Sequence, residues 1–336
     1  MKPKSERKNI VVIGGGTGIH PLLRGLKDYW GDYNTTAIVS MADSGGSNAR
    51  IRDEFGMLPV SDVNRGLAAL ATDIEGREQL VRELFLYRFD KGDGLSGHNF
   101  GNLLLIALTE LLGSEKEAIK VASRILRIRG TVLPVTTDHI DIVAEFEDRA
   151  TVVGEHEIDE PEADRIGKRI THFFADPAGV ITDEARDALL EADLIVLGPG
   201  DLYSSLLANI VVSGVPEAIQ SAKAPFVFVS NLMSRPGQTD GMSACEHVEE
   251  VVKYVGREPD TVVVNTSAVP KHLLERYAEK DQFPVADDTD KLSCHVVKAE
   301  LLSNEEVVKA QGDILQRSLV RGDEDKMAKV IIDLVP

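Results

Sequence analysis

Four glycines in five residues, Gly14-Gly15-Gly16-Thr17-Gly18, follow directly on the apolar run Ile10 to Ile13. Glycine lets the backbone turn sharply and brings its N–H groups close to a ligand. The segment beyond, with Ile19, Leu22, Leu23 and Leu26 at helical spacing, supplies a helix N-terminus whose open amides and dipole favour an anion. Strand, tight loop and helix start together make a phosphate cradle, or else only a tight connection, because a lone loop of this kind is a weak signal. The loop fits neither familiar glycine motif. A dinucleotide fingerprint starting at Gly14 needs a small residue where Ile19 stands, and a P-loop needs Gly-Lys-Ser/Thr, whereas the next lysine is Lys27.

Three further loops carry the same kind of chemistry. Ala42-Asp43-Ser44-Gly45-Gly46-Ser47-Asn48-Ala49-Arg50 ends the β-branched run Thr35 to Met41. Asp43 is placed there to take a ribose or sugar hydroxyl or a metal ion, or to cap a turn, and the cations Arg50 and Arg52 follow. Gly198-Pro199-Gly200-Asp201 sets the hydroxyls of Tyr203, Ser204 and Ser205 at a helix start, and Asn231 opens a polar loop that runs to Asp240. A glycine-rich stretch, Lys91 to Gly97, delivers His98, Asn99 and Asn102 into an apolar helix. Spaced at i and i+4, His98 and Asn102 share one helix face, either as a satisfied core histidine with a cap or as readers of an anion or base. Arg321, just before the last helix, could reach a phosphate, although a surface arginine is the commoner finding.

These loops need a frame that presents them together. Strand-like runs at 10–13, 35–41, 194–197, 226–230 and 261–265 alternate with helical segments, and each ends in a polar or glycine loop. That predicts an α/β, doubly wound, mostly parallel sheet with a nucleotide-type crevice outside the strands' carboxyl ends. Runs at 131–135, 140–146 and 150–153 are also strand-like, the last two joined as a hairpin through Glu147-Asp148-Arg149. The expectation is one domain over 1–336 with a small β-hairpin insertion in a β-rich region near 131–180. Asp62 reads as an N-cap, and the acid-rich stretch Glu155 to Asp164, with His156 inside it, as a solvated charge run. Residues 294–301 alternate as an edge strand, and 323–334 form an amphipathic helix.

Composition narrows the function classes. A net charge of −18 disfavours nucleic-acid and anionic-membrane partners, and no apolar run approaches the ~20 residues of a membrane span. With no leader-like apolar stretch, the expected location is cytoplasmic. Two cysteines, Cys245 and Cys294, are too few for a disulfide framework or a cysteine zinc site.

The ordered motifs at Gly14–Gly18 with Leu22 to Leu26, Asp43–Ser47 with Arg50, Ser96–Leu103, Gly198–Ser205 and Asn231–Thr239 resemble the YvcK/CofD-like family, closest to its YvcK branch, the gluconeogenesis factors. The resemblance covers nearly the full length. It implies a Rossmann-like three-layer fold that binds a nucleoside diphosphate compound, a UDP-sugar in the YvcK branch, with a role in cell shape and envelope growth on gluconeogenic carbon and no established reaction. The CofD branch instead implies a magnesium-dependent transferase of the 2-phospho-L-lactate type, acting on a guanosine diphosphate donor. By position, Tyr277 and Arg321 look like sugar-nucleotide contacts and the glycine loop like the diphosphate site. Asp43 would be a metal ligand only in a transferase. The chain departs from the family pattern with Asp43-Ser44 for an acidic pair, Asp201 for a serine, and Arg235-Pro236-Gly237-Gln238 for Gln-Pro-Gly-Glu. Asp201 would repel a diphosphate unless a cation intervened.

The resulting expectation is a binding or regulatory protein whose ligand is a UDP-sugar or another nucleoside diphosphate. No nucleophile–base pair stands out, so no catalytic residue is assigned, and magnesium enters only with the transferase reading. A nicotinamide oxidoreductase fails at Ile19 and lacks an evident proton donor. Homo-oligomers are compatible with all of this, and the base, uracil or guanine, is left open.

Overall fold

The strand ahead of the first glycine loop, β1 (Lys8–Gly14), is buried on both faces, with Ile10, Val11, Val12 and Ile13 each at most 1% exposed. The computed structural model describes residues 2–15, 18–45, 48, 56–72, 78–92, 94–303, 319–320 and 322–336. Alternation along β1 divides its side chains between two cores. Val11 and Ile13 join Ile195 and Leu197 in one, while Ile10 and Val12 join Leu194 and Val196 in the other. A strand covered on both sides needs an unbroken apolar run, and that made it legible in the sequence.

β1 pairs in parallel with β2 (Tyr33–Val39), which pairs with β3 (Thr131–Pro134). A second, smaller sheet is antiparallel, in the order β5-β4-β6, from β4 (Asp141–Phe146), β5 (Thr151–Val153) and β6 (Ile170–Asp176). On its other side β1 pairs with β7 (Leu194–Leu197), followed by β8 (Phe226–Val229), β9 (Thr261–Asn265) and β10 (His295–Ala299), all parallel. The main order is therefore β10-β9-β8-β7-β1-β2-β3. Strand order reverses between β1 and β7, and in an open parallel sheet that reversal opens a crevice at the carboxyl ends.

Helices cover both faces. His20–Lys27, Ser61–Leu70 and Glu324–Asp333 contribute Leu22, Leu23, Leu26, Val63, Leu67 and Ile331 to the core around Ile10 and Val12. Asp183–Leu190, Val215–Ser221 and Ala244–Val255 contribute Leu189, Ile219, Val248 and Val251 to the other. Their starts are set locally. Pro21 sits in the first turn of His20–Lys27, and the side chains of Thr182, Ser243 and Asp323 accept the N–H groups of Ala185, Glu246 and Lys326.

The β4–β5 hairpin turns through Glu147-Asp148-Arg149, with Arg149 at φ 67°. Its third strand, β6, escapes the sequence pattern. Ile170, Phe173 and Ala175 face inward but are not evenly alternating, because the β4–β6 register shifts between Glu145 and Phe146. Residues 131–134 belong to the main sheet, so the separate sheet spans 141–176.

A Cβ on Gly25 would strike the Glu324 carbonyl and stand 2.7 Å from the Ala328 Cβ, so the first and last helices of the main sheet meet almost backbone to backbone. Gly25→Ala is expected to lower the unfolding free energy by about 1–3 kcal/mol, as overpacking does. A urea melt of the variant with an unshifted midpoint would show that the two helices part without cost.

Candidate functional site

Gly14 and Gly15 bring β1 to its carboxyl end, and Gly18 opens the turn into His20–Lys27. A Cβ on Gly18 would strike the Pro199 carbonyl, so the first glycine loop lies directly against the Gly198-Pro199-Gly200 loop that follows β7. A Cβ on Gly15 would strike the Asp62 carboxylate and lie 3.6 Å from the Ser205 carbonyl. Ile19 is 2% exposed and folds under Gly14. The large residue that breaks the dinucleotide pattern is therefore core, packed beneath the loop. Gly16, Thr17, Gly46, Ser47, Arg50 and Arg321 lie outside the described residues.

Carboxylates gather around these loops. Asp43, just past β2, accepts the Gly45 N–H on Oδ1 at 2.9 Å, which is the turn-capping role. Asp62 is not the N-cap of Ser61–Leu70. Val60 holds that position, and the Asp62 side chain, 10% exposed, takes Arg65 Nη1 at 3.2 Å. The acid-rich stretch after β5 is not a solvated run throughout. Glu155–Asp159 is a short helix, tied to the second loop where the His156 N–H donates to Ser44 Oγ at 3.1 Å. Asp159 then accepts from three places: Ser204 Oγ at 2.6 Å, Gln238 Nε2 at 3.0 Å and Arg235 Nη2 at 3.1 Å. Arg235 Nε stands 3.3 Å from Asp201 Oδ2, so the guanidinium lies between carboxylates of two different elements.

The electrostatics follow from this crowding. Burial raises the Asp43 carboxyl above its ordinary range, with Arg65 as the main opposing charge. Glu155 is raised well above its ordinary value, first by burial and then by repulsion from Asp43, Asp159 and Asp62. Burial also raises Asp201, against the attraction of Arg235. Among the described residues no group of three His, Cys, Asp or Glu side chains is arranged to hold a metal ion.

Behind the second loop lies an amide network. Asn99 caps Phe100–Leu112, its Oδ1 accepting the Asn102 N–H at 3.2 Å and Asn64 Nδ2 at 2.8 Å. Asn102 Nδ2 donates to Ser61 Oγ at 2.9 Å and reaches Asn48 Oδ1 at 3.4 Å. His98, 4% exposed, precedes this helix, so it and Asn102 do not share a helical face as their spacing suggested. Asn231 Nδ2 donates to the Gly200 carbonyl at 2.7 Å and joins the third and fourth loops.

Two of the expected contact residues, Tyr203 and Tyr277, have protein partners. Tyr203 donates to Glu250 Oε1 at 2.9 Å and packs on Phe173, while its neighbour Ser204 reaches Asp159. Tyr277 is 3% exposed, and its hydroxyl accepts the N–H groups of Leu319 at 2.8 Å and Val320 at 3.1 Å. It sits off the ends of β9 and β10, beside a cavity of about 260 Å³ with Ser267, Glu300 and Lys326 in its wall. Sequence reading passed over Asp62, Arg65, Glu155, Asp159 and Gln238 as site residues, and gave Arg235 no role. The i, i+3 spacing of Asp62 and Arg65 was a usable signal, whereas nothing local marks Asp159.

A carboxyl with a higher pKa folded than unfolded holds its proton more tightly in the folded chain. Its contribution to stability is then lost as pH rises from the ordinary carboxylate range through the raised folded value. Glu155→Gln removes that loss. The variant is expected to melt a few degrees above the parent at about pH 8, with the difference shrinking towards about pH 4. Identical melting at the higher pH would mean that Glu155 carries no uncompensated charge.

Comparison with known proteins places the chain in a family. The family model described as 2-phospho-L-lactate transferase CofD matches residues 10–302. The gluconeogenesis factor of Bacillus subtilis is 37% identical over 332 residues, covering 98% of this chain and 99% of that protein. The gluconeogenesis factor of Listeria innocua is 37% identical over 337 residues, covering 99% and 97%. A crystal structure of a UPF0052-family protein from Bacillus halodurans superposes with a TM-score of 0.86 at 34% identity, covering 99% of each chain. The chain belongs to the CofD family, among whose members it is similar over its whole length to the bacterial gluconeogenesis factors.

Proposed function

We propose that the protein is a gluconeogenesis factor that binds a nucleoside diphosphate sugar, of the UDP-sugar type, in the crevice at the β1–β7 reversal. In this reading it is a cytoplasmic regulator of cell shape and envelope growth on gluconeogenic carbon. The observation that carries the reading is the contact of Gly18 with Pro199, which sets two glycine loops side by side at the switch point of a doubly wound sheet. The glycine wall suits a diphosphate, and the wall of Asp43, Glu155 and Asp201 suits the hydroxyls of a sugar. No described helix is long and apolar enough to cross a membrane.

One observation favours a second reading, a transferase acting on a nucleoside diphosphate donor. Asp43, Glu155 and Asp201 are all raised, the condition a divalent cation relieves. Magnesium is commonly held by one or two carboxylates together with substrate phosphates, so Asp43 would be its protein ligand and the residues present fit. Bound there, the ion would neutralise charge on the donor's phosphates. Arg65 and Asn48 would orient Asp43, as they already do through charge and a hydrogen bond.

Calorimetric titration with UDP-N-acetylglucosamine, GDP and NAD, each with and without magnesium, separates these readings. The expected result is saturable heat with the UDP-sugar and no ligand breakdown, with affinity reduced at least ~10-fold in Gly18→Ala, whose Cβ would force the two loops apart. Magnesium-dependent GDP binding with donor turnover, abolished by Asp43→Asn, would favour the transferase. Silence with all three ligands would overturn the nucleotide site.

A further inference from the structure

The Ser61–Leu70 helix is closed on every side but one. Asp62, Val63, Asn64 and all residues from Gly66 to Leu70 are buried, and only Ser61 and Arg65 are half-open. Spaced at i and i+4, these two lie on one face, a narrow strip along the helix's first turn. Ser61 holds Asn102 Nδ2 with its hydroxyl at 2.9 Å. Arg65, its side chain 25% exposed, is the other member of the strip.

Asp62 fixes where that guanidinium stands. A Cβ on Gly15 would strike Asp62 Oδ2, while Asp62 Oδ1 accepts from Arg65 Nη1 at 3.2 Å. The guanidinium is thus one carboxylate's width from the first glycine loop. Asp43 and Glu155 face it from the loop after β2 and from the short helix after β5. A cation present only to balance these acids would be chelated by them. Instead Asp43 takes the Gly45 N–H, and among the described residues Arg65 makes no hydrogen bond besides the one to Asp62. Four of its five N–H donors are left over. Arg235, the other guanidinium beside these loops, is already committed to Asp159 and Asp201.

We infer that Arg65 grips a phosphate of the ligand: its remaining N–H groups take the oxygens of a phosphate seated against Gly14 and Gly15, and Asp62 is the positioning residue that aims it. The planar fork of a guanidinium matches two phosphate oxygens at once. The Ser61–Leu70 helix adds to the same point, because Val60 at its N-cap gives no side-chain acceptor and the positive end of the helix is left for an anion. An acid-lined crevice can then hold a phosphate on the Arg65 side while Asp43 and Glu155 accept from sugar hydroxyls. This contact rests on the nucleoside diphosphate reading only for what lies beyond the phosphates.

Calorimetric titration of the full chain with inorganic pyrophosphate and, separately, with UDP-N-acetylglucosamine tests it. Saturable heat is expected with both. Arg65→Met is expected to weaken each ligand at least ~30-fold, and Arg65→Lys, which keeps the charge without the fork, about 10-fold. Asp62→Asn is expected to tighten pyrophosphate a few-fold, because the amide oxygen still holds the guanidinium but no longer repels the anion. Thermal melts identify a variant that has not folded, and Arg65→Lys carries the test if Arg65→Met is one. Parent-like affinity in the folded Arg65 variants overturns the inference, and so does its recovery when Arg65→Met is combined with Asp62→Asn, the result a mere counter-ion would give. UDP-sugar binding that ignores Arg65 overturns this contact and leaves the nucleoside diphosphate reading standing. Pyrophosphate binding that needs Arg65, with no response to the UDP-sugar, does the reverse, and a parent that takes neither ligand overturns both.

Discussion

Asp159 fastens the two sheets together. Its carboxylate, delivered by the short helix after β5, accepts from Ser204 beyond β7 and from Arg235 and Gln238 beyond β8. A partly buried ion pair of this kind adds little net stability over an apolar contact, yet removing one partner costs about 3–5 kcal/mol because the other is left uncompensated. The latch therefore fixes geometry more than it adds stability. It also commits Arg235 to two acids, Asp159 and Asp201, and leaves Asp43, Asp62 and Glu155 facing Arg65 among the described residues. The crevice becomes two-sided, with small residues and backbone on the glycine wall and excess negative charge opposite.

That asymmetry bears on what can lie there. A diphosphate pressed against the acidic wall would meet repulsion, whereas sugar hydroxyls can donate to carboxylates and a divalent cation can sit between carboxylate and phosphate. Asp201 and Arg235, both read from the sequence as departures from the pattern it resembles, are partners in one ion pair. Two departures that looked independent in the sequence compensate each other in space, and the repulsion expected from Asp201 alone is partly answered by Arg235.

What could be read from the sequence follows from how each element is buried. β1, β7, β8 and β9 lie inside a parallel sheet and must be apolar on both faces, so each is a continuous run that ends where its loop begins. Their order made the crevice legible as well. β6 is half-covered and follows a register shift, which blurs its period. Glu155 and Asp159 were misread because an acid's neighbours in the chain say nothing about the arginine, serine and glutamine that meet it from other elements. Asp62 resembled a cap because Asp is favoured there, but the helix starts two residues earlier than that cap would set and turns the carboxylate towards Gly15. Tyr277 drew attention by its position alone, and its hydroxyl accepts the backbone N–H groups of Leu319 and Val320, partners that no local pattern announces.

The Phe100–Leu112 helix ties the site to the open surface of the molecule. The Phe100–Leu112 helix begins with Asn99 and Asn102, bonded to Asn64, Ser61 and Asn48 at the back of the second loop, and ends with the exposed Leu111 and Leu112. Thirteen residues of α-helix span about 20 Å and bend little over that length. The amide network has almost no slack, because Asn48, Asn64 and Asn102 are each at most 2% exposed. A displacement of the helix along or about its axis therefore has to change the Asn102 bonds to Ser61 and Asn48.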